Sequence, residues 1–315
     1  MAYYLGIDTS NYTSSVSLFH SNTNQIVMQK RLLPVASNAV GLRQSDAVFA
    51  HVKQLHHLIE ELFREQKYPI KAVGVSTRPR SVEGSYMPAF LVGDLVASSI
   101  ASVLGVKKYE CSHQEGHIVA ALYSASAIDL LNNKFLAFHV SGGTTECLLV
   151  EPKNNLFDVT LIAKTLDLNA GQLIDRVGVM LGLQFPCGKA LTELALQCNK
   201  KFKIKPTLKG HDIHLSGVQN QCETMYQKGV SKEEIARYVI EYIKSSLEAM
   251  TKGVQEQYGQ LPLLYAGGVM SNTIIKEYMS NNYNGLFASP EFSADNAAGV
   301  SIITAIKDNE NGQCN

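Results

Sequence analysis

The 315-residue sequence has no tryptophan, no long hydrophobic run and no excess of charge of either sign. No run approaches the roughly 18 apolar residues that cross a bilayer, which disfavours a membrane span, and the lack of a basic leader disfavours a secretory signal. Lysine plus arginine and aspartate plus glutamate both number 28, so no overall field attracts nucleic acid or an acidic membrane surface. From these absences we expect a cytoplasmic protein with no membrane partner.

Cysteine is also sparse, with six residues that form no CxxC pair. Scattered thiols of this kind favour reduced cysteines over a disulfide framework or a zinc cluster. Hydrophobic residues nevertheless make up 45% of the chain and charged residues 18%, which is typical of a folded enzyme and excludes general disorder. The length is sufficient for two domains, because single cores stop growing near about 250 residues.

A pattern of three strands with a polar loop after the first occurs twice. The strands are predicted at 3–7, 16–20 and 25–33 in the first copy and at 135–140, 147–152 and 157–163 in the second. Further buried strands are predicted at 72–76, 261–268 and 286–289, and helices at 48–62, 88–104, 171–181, 189–198 and 232–257, after Asn272 and from Asp295.

This duplication predicts an α/β, actin-like (ASKHA) architecture of two ribonuclease-H-like domains with an interdomain nucleotide cleft. Two unrelated α/β domains are the alternative. The first half is predicted to span residues 1–130, with a C-terminal helix at 295–307 packing back on it. The second half is predicted to span residues 131–294.

Two histidines and one aspartate are candidate metal ligands. His113 and His117, in SHQEGHI, are four residues apart, so on a helix they share one face and can bind one metal ion. A bare HxxxH pair also occurs by chance on solvent-facing helices, so a third ligand has to decide. Asp295 precedes a predicted helix and can point into a cleft, although an N-cap role is the simpler explanation.

Glycine turns follow two of the predicted strands. HVSGGTTE (residues 139–146) has small residues whose backbone N–H groups can approach a phosphate without obstruction by a Cβ, although a plain hairpin uses the same residues. AGGVMSN (residues 266–272) opens a helix and can accept a base or a ribose. Asp175 can hydrogen-bond ribose hydroxyls, or it can be a solvated helix charge beside Arg176.

These segments, taken in order, resemble the tRNA threonylcarbamoyladenosine synthase family, historically called glycoprotease or O-sialoglycoprotein endopeptidase. GIDTS resembles the family's GIETS, SHQEGHI its metal motif, HVSGGTTECLL its VSGGHTxL, LGLQFPCG its LGLxYPGG, AGGVMSN its GGVAAN and ADNAAG its TDNAA. The resemblance implies one divalent transition metal, Fe(II) or Zn(II), bound by His113, His117 and Asp295. It also implies an acyl-adenylate contacted by His139, Val140, Ser141, Gly142, Gly143, Asp175, Gly188 and Asn272.

The reaction that the resemblance implies is transfer of a threonylcarbamoyl group to N6 of the adenosine 3′ of the tRNA anticodon. The implied donor is threonylcarbamoyl-adenylate, and the implied partners are tRNA and small subunits of the same fold family. Asp8 and Glu115 are the carboxylates predicted to serve in catalysis. The older peptidase label has no support, since Glu115 lies two residues after His113 and no HExxH motif is present.

The first loop departs from the family pattern, because Asn11, Tyr12 and Thr13 replace its acidic residues. None of the three carries a charge near neutral pH, so the alternative function is a divergent, catalytically weakened paralogue that binds nucleotide and metal as an assembly or regulatory subunit. ATP hydrolysis, a third possibility, needs a first-loop carboxylate, for which Asp8 is available. The segment STRPRSVEGSYMP (residues 76–88) also contains added residues relative to the family's short TxGPG loop.

Overall fold

A computed structural model describes residues 2–10, 12–34, 42–153 and 156–313. The chain divides into two compact units. The first comprises Met1–Ile128, Lys153–Leu156 and Glu291–Asn315, and the second comprises Asp129–Pro152 and Phe157–Pro290. Within the described residues, no helix combines the length and the apolar character that crossing a membrane requires.

Twelve strands and ten helices are assigned within the described residues. The strands are β1 (Tyr3–Ser10), β2 (Thr13–His20), β3 (Gln25–Leu32), β4 (Ile70–Arg78), β5 (Lys107–Ser112), β6 (Phe135–Val140), β7 (Thr145–Lys153), β8 (Leu156–Lys164), β9 (Thr207–Lys209), β10 (Asp212–His214), β11 (Leu263–Ala266) and β12 (Leu286–Phe287). The helices are α1 (Gln44–Leu62), α2 (Phe90–Leu104), α3 (His113–Ser124), α4 (Ala170–Met180), α5 (Gly188–Leu196), α6 (Ser216–Gln227), α7 (Lys232–Tyr258), α8 (Thr273–Tyr283), α9 (Pro290–Ser293) and α10 (Ala298–Gln313).

The two units have five-stranded sheets of the same topology. The strand order is β3-β2-β1-β4-β5 in the first unit and β8-β7-β6-β11-β12 in the second. In each sheet the central strand is antiparallel to the next strand in sequence and parallel to a strand that follows a helical segment. The matching order and directions confirm the predicted duplication and the mixed α/β class.

In the first unit, parallel pairing brings the carboxyl ends of β1, β4 and β5 to one edge of the sheet. Functional residues of α/β proteins concentrate at such edges. β5 leads directly into α3, and Ser112 caps this helix by accepting a 3.2 Å hydrogen bond from the backbone N–H of Glu115. His113 is therefore the first residue of α3, and His117 follows one turn later.

Helix α10 packs closely on the same sheet, because the sheet residues Gly6 and Ser17, which lie against its start, have small side chains. A Cβ on Gly6 would lie 2.6 Å from the backbone nitrogen of Ser301, so only glycine permits this approach. Ser17 Oγ donates to the backbone oxygen of Ala297 at 2.7 Å, just before the helix begins. This docking fixes the segment that carries Asp295.

The sequence predicted most apolar helices and strands but missed β5, α6, α9, β9 and β10, and it indicated α3 only as the condition under which His113 and His117 share a face. β5 is an edge strand whose first four residues are not buried, so it lacks the apolar pattern of a core strand. α6 buries only Val218 and Cys222, which is too weak a periodicity to indicate a helix.

Candidate functional site

Three candidate metal ligands converge in the first unit. His113 Nε2 lies 2.9 Å from His117 Nε2, and Asp295 Oδ1 lies 3.1 Å from His117 Nε2 and 3.5 Å from His113 Nε2. Within the described part of the chain, this is the one group of three or more His, Cys, Asp or Glu side chains whose ligand atoms lie this close together. The simpler N-cap role of Asp295 is not observed, because α10 begins only at Ala298, whose N–H donates to Asn296 Oδ1.

Asp8 lies behind the first histidine. His113 Nδ1 donates a 2.6 Å hydrogen bond to Asp8 Oδ2, and the Asp8 side chain is almost fully buried at the end of β1. A carboxylate on the far ring nitrogen is the usual partner of a metal-binding histidine, since it fixes the tautomer and aims Nε2 at the ion. This contact gives Asp8 a role in orienting His113.

The charges at the site perturb the pKa values of two ligands. Burial disfavours a protonated ring, but the charge of Asp8 and the hydrogen bonds with Asp295 and Asp8 outweigh it and raise the pKa of His113 above the usual histidine value. Burial by itself would raise the pKa of Asp295, but hydrogen bonds from His113 and His117 hold it well below the usual carboxyl value. A metal ion would therefore replace a proton on His113.

The donor set fits a transition metal. Two imidazole nitrogens and a carboxylate oxygen suit Fe(II) or Zn(II). Asp8, which accepts a hydrogen bond from His113 Nδ1, is the kind of carboxylate partner that metal-binding histidines usually have. Asp8 Oδ1 is buried and has no hydrogen-bond partner among the described residues, so the centre retains acceptor capacity beside the three ligands.

Glu115, the second predicted catalytic carboxylate, has structural contacts. Its Oε2 accepts hydrogen bonds from the backbone N–H of Ser112 at 2.5 Å and from Ser81 Oγ at 2.9 Å. These bonds close a capping box at the start of α3. The geometry favours a helix-capping role for Glu115 over proton transfer.

The altered first loop contacts the candidate metal centre through Thr13. Thr13 is buried, and its Oγ1 donates to Asp295 Oδ2 at 3.4 Å. Tyr12 is 40% exposed, and Asn11 lies outside the described residues. A loop residue that contacts a candidate metal ligand therefore carries a hydroxyl, in a loop where the family pattern has acidic residues.

In the second unit, the glycine loop after β6 packs on the start of α4. The backbone N–H of Gly171 donates to Ser141 O at 3.1 Å, and a Cβ on Gly171 would lie 2.6 Å from the nitrogen of Gly142. At Gly142 and Gly143, by contrast, an added Cβ would meet no protein atom within 4 Å. Protein packing explains the glycine at 171 but not at 142 or 143, where approach of a ligand to the backbone is a sufficient reason.

A cavity of about 500 Å³ lies between the starts of α5 and α8. It brings together the predicted Gly188 and Asn272 and adds Lys189, Thr192 and Glu193 to its lining. Asn272 caps α8 by accepting from the N–H of Ile275 at 3.1 Å, and its Nδ2 donates to Thr192 Oγ1 at 2.8 Å. The three added residues follow Gly188 within about one and a half turns of α5, a spacing that could have indicated them.

Asp175 and the loop at His139 to Gly143 are not part of this cavity lining. Asp175 Oδ1 accepts a 2.8 Å hydrogen bond from the backbone N–H of Cys187, which fixes the turn before α5. His139 and Val140 are the last residues of β6, and a Cβ on Gly267 would overlap the Val140 carbonyl. The loop at His139 to Gly143 therefore packs against Gly171 and Gly267. Asp175 is hydrogen-bonded to the turn before Gly188.

Asp167, which the sequence did not single out, anchors the segment before α4. Its carboxylate accepts hydrogen bonds from the N–H groups of Leu168 and Leu215, at 2.6 and 2.8 Å, and from Ser216 Oγ at 2.6 Å. Partial burial opposes ionisation, but these bonds lower the pKa of Asp167 to about 2. A depressed carboxyl pKa stabilises the fold above the unfolded pKa, and this contribution is lost as pH falls through the folded value.

We therefore expect Asp167 to contribute stability at neutral pH, reduced by solvent screening of this exposed residue, and we expect the contribution to be lost as pH falls from the unfolded pKa towards about 2. Urea unfolding of Asp167→Asn should show a lower free energy of unfolding at pH 7 and a weaker loss of stability towards acid. Asp129→Asn, which changes an exposed carboxylate in the same unit, is the control. Equal acid profiles for the wild-type protein and Asp167→Asn would contradict the assignment.

Known proteins similar in sequence to this chain include several of one family. The model of the tRNA N6-adenosine threonylcarbamoyltransferase (TsaD) family matches residues 37–302. A protein of that name from Riemerella anatipestifer is 26% identical over 283 residues, covering 82% of this chain and 79% of the relative. Another, from Carboxydothermus hydrogenoformans, is 28% identical over 316 residues, covering 93% of this chain and 89% of the relative.

Solved structures with the same fold have lower identity. The (R)-2-hydroxyglutaryl-CoA dehydratase component A of Acidaminococcus fermentans is 15% identical, with a TM-score of 0.56 over 98% of this chain and 99% of its own. Full-length HypF, in its phosphate- and nucleotide-bound form, is 13% identical, with a TM-score of 0.59 over 98% of this chain and 55% of its own. These likenesses concern the fold alone.

The duplicated sheets and the His–His–Asp cluster define an actin-like (ASKHA) α/β protein with a candidate metal centre. The family model covers well over half of the sequence. The chain belongs to the tRNA N6-adenosine threonylcarbamoyltransferase family, whose general activity is threonylcarbamoyl transfer to tRNA.

Proposed function

We propose that this protein transfers a threonylcarbamoyl group from threonylcarbamoyl-adenylate to N6 of the adenosine 3′ of the tRNA anticodon, with one Fe(II) or Zn(II) ion bound. The observation that carries the proposal is the convergence of His113, His117 and Asp295 in a chain of this family. Two imidazoles and one carboxylate leave coordination positions open on either metal. When bound, the metal supplies Lewis-acid polarisation of the acyl donor and a fixed point for its orientation.

The residues of the first unit hold and orient the ligand set. Asp8 accepts the Nδ1 proton of His113, so Nε2 keeps its lone pair for the metal. Thr13 donates to Asp295 Oδ2, which leaves Oδ1 on the side of the histidines. These contacts fix the direction of two of the three ligands before any substrate binds.

The residues of the second unit suit the nucleotide part of the donor. The backbone N–H groups around Gly142 and Gly143 are proposed to hold the phosphate, which becomes the leaving group. The cavity at Gly188 and Asn272 is within the size range of small-molecule sites and is proposed to hold the adenosine. The attacking amine is a weak nucleophile, so positioning and charge stabilisation are expected to supply most of the rate enhancement.

Analysis of nucleosides tests this function directly. Purified metal-loaded protein is incubated with threonylcarbamoyl-adenylate, unmodified tRNA and the small subunits of a family member, and the digested tRNA is analysed by mass. We expect N6-threonylcarbamoyladenosine, and none above background with Asp295→Asn. If the wild-type protein gives no more product than Asp295→Asn, the proposal is wrong.

The phosphate loop gives a separate prediction. Gly143→Ala should leave the melting temperature unchanged, because a Cβ there meets no protein atom, yet weaken binding of an adenine nucleotide by about tenfold, or 1.4 kcal/mol. Gly217→Ala, at another open glycine of the same unit, is the matched control. Isothermal titration measures the affinity, and equal affinities for both variants would remove the loop from the site.

A weakened paralogue that binds nucleotide and metal is the second candidate function. It is favoured by the absence of an acid at Tyr12 and Thr13 and by the contact of Thr13 with Asp295. Small partner subunits of the same fold family and a cytoplasmic location remain predictions. Phe49 and Val52 on α1 and Leu91 and Leu95 on α2 are each more than half exposed, which supports a protein partner.

A further inference from the structure

The loop between β4 and α2, residues 79–88, is attached to the helix that carries the metal-binding histidines. The backbone N–H of Gln114 donates to Pro79 O at 3.0 Å, and Ser81 Oγ donates to Glu115 Oε2 at 2.9 Å. Gln114 and Glu115 directly follow His113 in α3. The first part of the loop is therefore fixed to the turn of helix that begins at the candidate metal centre.

The end of β4 and the start of α2, which flank this loop, also lie beside His113. Arg78, at the end of β4, is in register with Ser112, the residue before His113. At the other border, the ring of Phe90 contacts the His113 ring edge-on, with 6.2 Å between centroids. Both ends of the loop thus flank one metal ligand.

The loop has a defined shape and presents apolar side chains outward. The N–H of Arg80 donates to Ser85 Oγ at 2.9 Å, and the N–H of Ser85 donates to Val82 O at 3.2 Å. Val82 is nevertheless 57% exposed and Tyr86 is 62% exposed. Among the described residues, the Tyr86 side chain has no hydrogen-bond or ring partner, so packing within the chain does not explain an aromatic residue there.

An exposed aromatic residue and two arginines occur within residues 78–86, a composition that suits binding of single-stranded RNA. Unpaired bases stack on aromatic rings, and guanidinium groups bind phosphates or stack on bases. The acceptor adenosine must bring its N6 to the metal centre, so its neighbours in the anticodon loop pass close to whichever residues surround His113. Loop 79–88 is bonded to Gln114 and Glu115, which follow His113, and its two flanking elements also lie beside His113.

We propose that loop 79–88 binds the anticodon loop and that Tyr86 stacks on a base next to the acceptor adenosine. This inference rests on the proposed function, because it takes tRNA as the acceptor. The residues that this loop has in addition to the family's short TxGPG loop then serve to recognise the tRNA acceptor. Arg78 and Arg80 supply the positive charge for the RNA backbone at this point of the surface.

The absence of tryptophan from the sequence allows a direct measurement. Tyr86→Trp introduces a single tryptophan, and its fluorescence is expected to be quenched saturably by an unmodified anticodon stem-loop RNA but not by a duplex of equal length. Tyr226→Trp, at a partly exposed tyrosine on α6, is the control and should not respond. Tyr86→Ala should weaken stem-loop binding about tenfold, with Tyr86→Phe restoring it, while melting temperature and metal content stay unchanged.

Labelled stem-loop RNA, followed by anisotropy, separates this inference from the function on which it rests. If the RNA binds Tyr86→Ala normally and does not quench Tyr86→Trp, the inference is wrong and the proposed function stands. Equal quenching by the duplex would also overturn base stacking at this loop. If the wild-type protein neither binds the stem-loop nor modifies tRNA, the proposed function fails and the inference fails with it.

Discussion

Loss of bound transition metal is the expected result when His113 and His117 are both replaced by alanine. The double variant removes two of three ligand atoms that lie within 3.5 Å of one another. Mutation of a residue that hydrogen-bonds to a metal ligand typically lowers metal affinity by about 10–100-fold. Removal of two ligands should therefore lower the affinity by more than about 100-fold. Elemental analysis after dialysis against a defined free Zn(II) concentration should find about one equivalent in the wild-type protein and a trace in the variant.

His56→Ala with His57→Ala is the matched control, since this adjacent pair on α1 is exposed and its ion-pair contact, His57 Nδ1 with Glu60 Oε2 at 3.4 Å, lies on the same helix. The control should retain the full metal content. Asp8→Asn should fall between the two, because it keeps all three ligands and removes only the negative charge beside His113 Nδ1. Full metal content in the His113/His117 variant would contradict the assignment of the centre.

Slow transfer by the natural protein is the second expected result. General acid–base catalysis is worth about a hundredfold to ten-thousandfold, and the first loop carries no acid at Tyr12 or Thr13. We therefore expect this chain to bind nucleotide normally while its single-turnover rate lies at least about a hundredfold below that of a family member with the acidic loop. Rapid quench with labelled donor measures the rate, and thermal shift measures nucleotide binding.

The structure decides where an acid can be restored. Thr13 is buried with its hydroxyl on Asp295, so Thr13→Glu would place a second carboxylate against a metal ligand. Tyr12 is partly exposed, so Tyr12→Asp should raise the rate with little change in stability. Tyr226→Asp is the control. A natural protein that already transfers as fast as its relatives, with no gain from Tyr12→Asp, would exclude the weakened-paralogue function.

The sequence by itself determined the duplicated architecture and indicated the histidine pair of the candidate metal site. The strand–loop–strand pattern of residues 3–20 and 135–152 repeats within short windows, where alternation of side chains and glycine turns are local properties. The spacing of His113 and His117 is also a local property, because residues four positions apart lie on the same face of a helix. These features needed no knowledge of distant contacts.

Only the tertiary structure decided what the carboxylates do. Asp8 is 105 positions from His113, and Asp295 is 178 positions from His117, so no spacing in the chain could show that they meet. Glu115 lies between the two histidines in sequence, yet its side chain turns back to the helix start and to Ser81. The role of a carboxylate depends on which donors surround it, and folding supplies those donors from remote strands and loops.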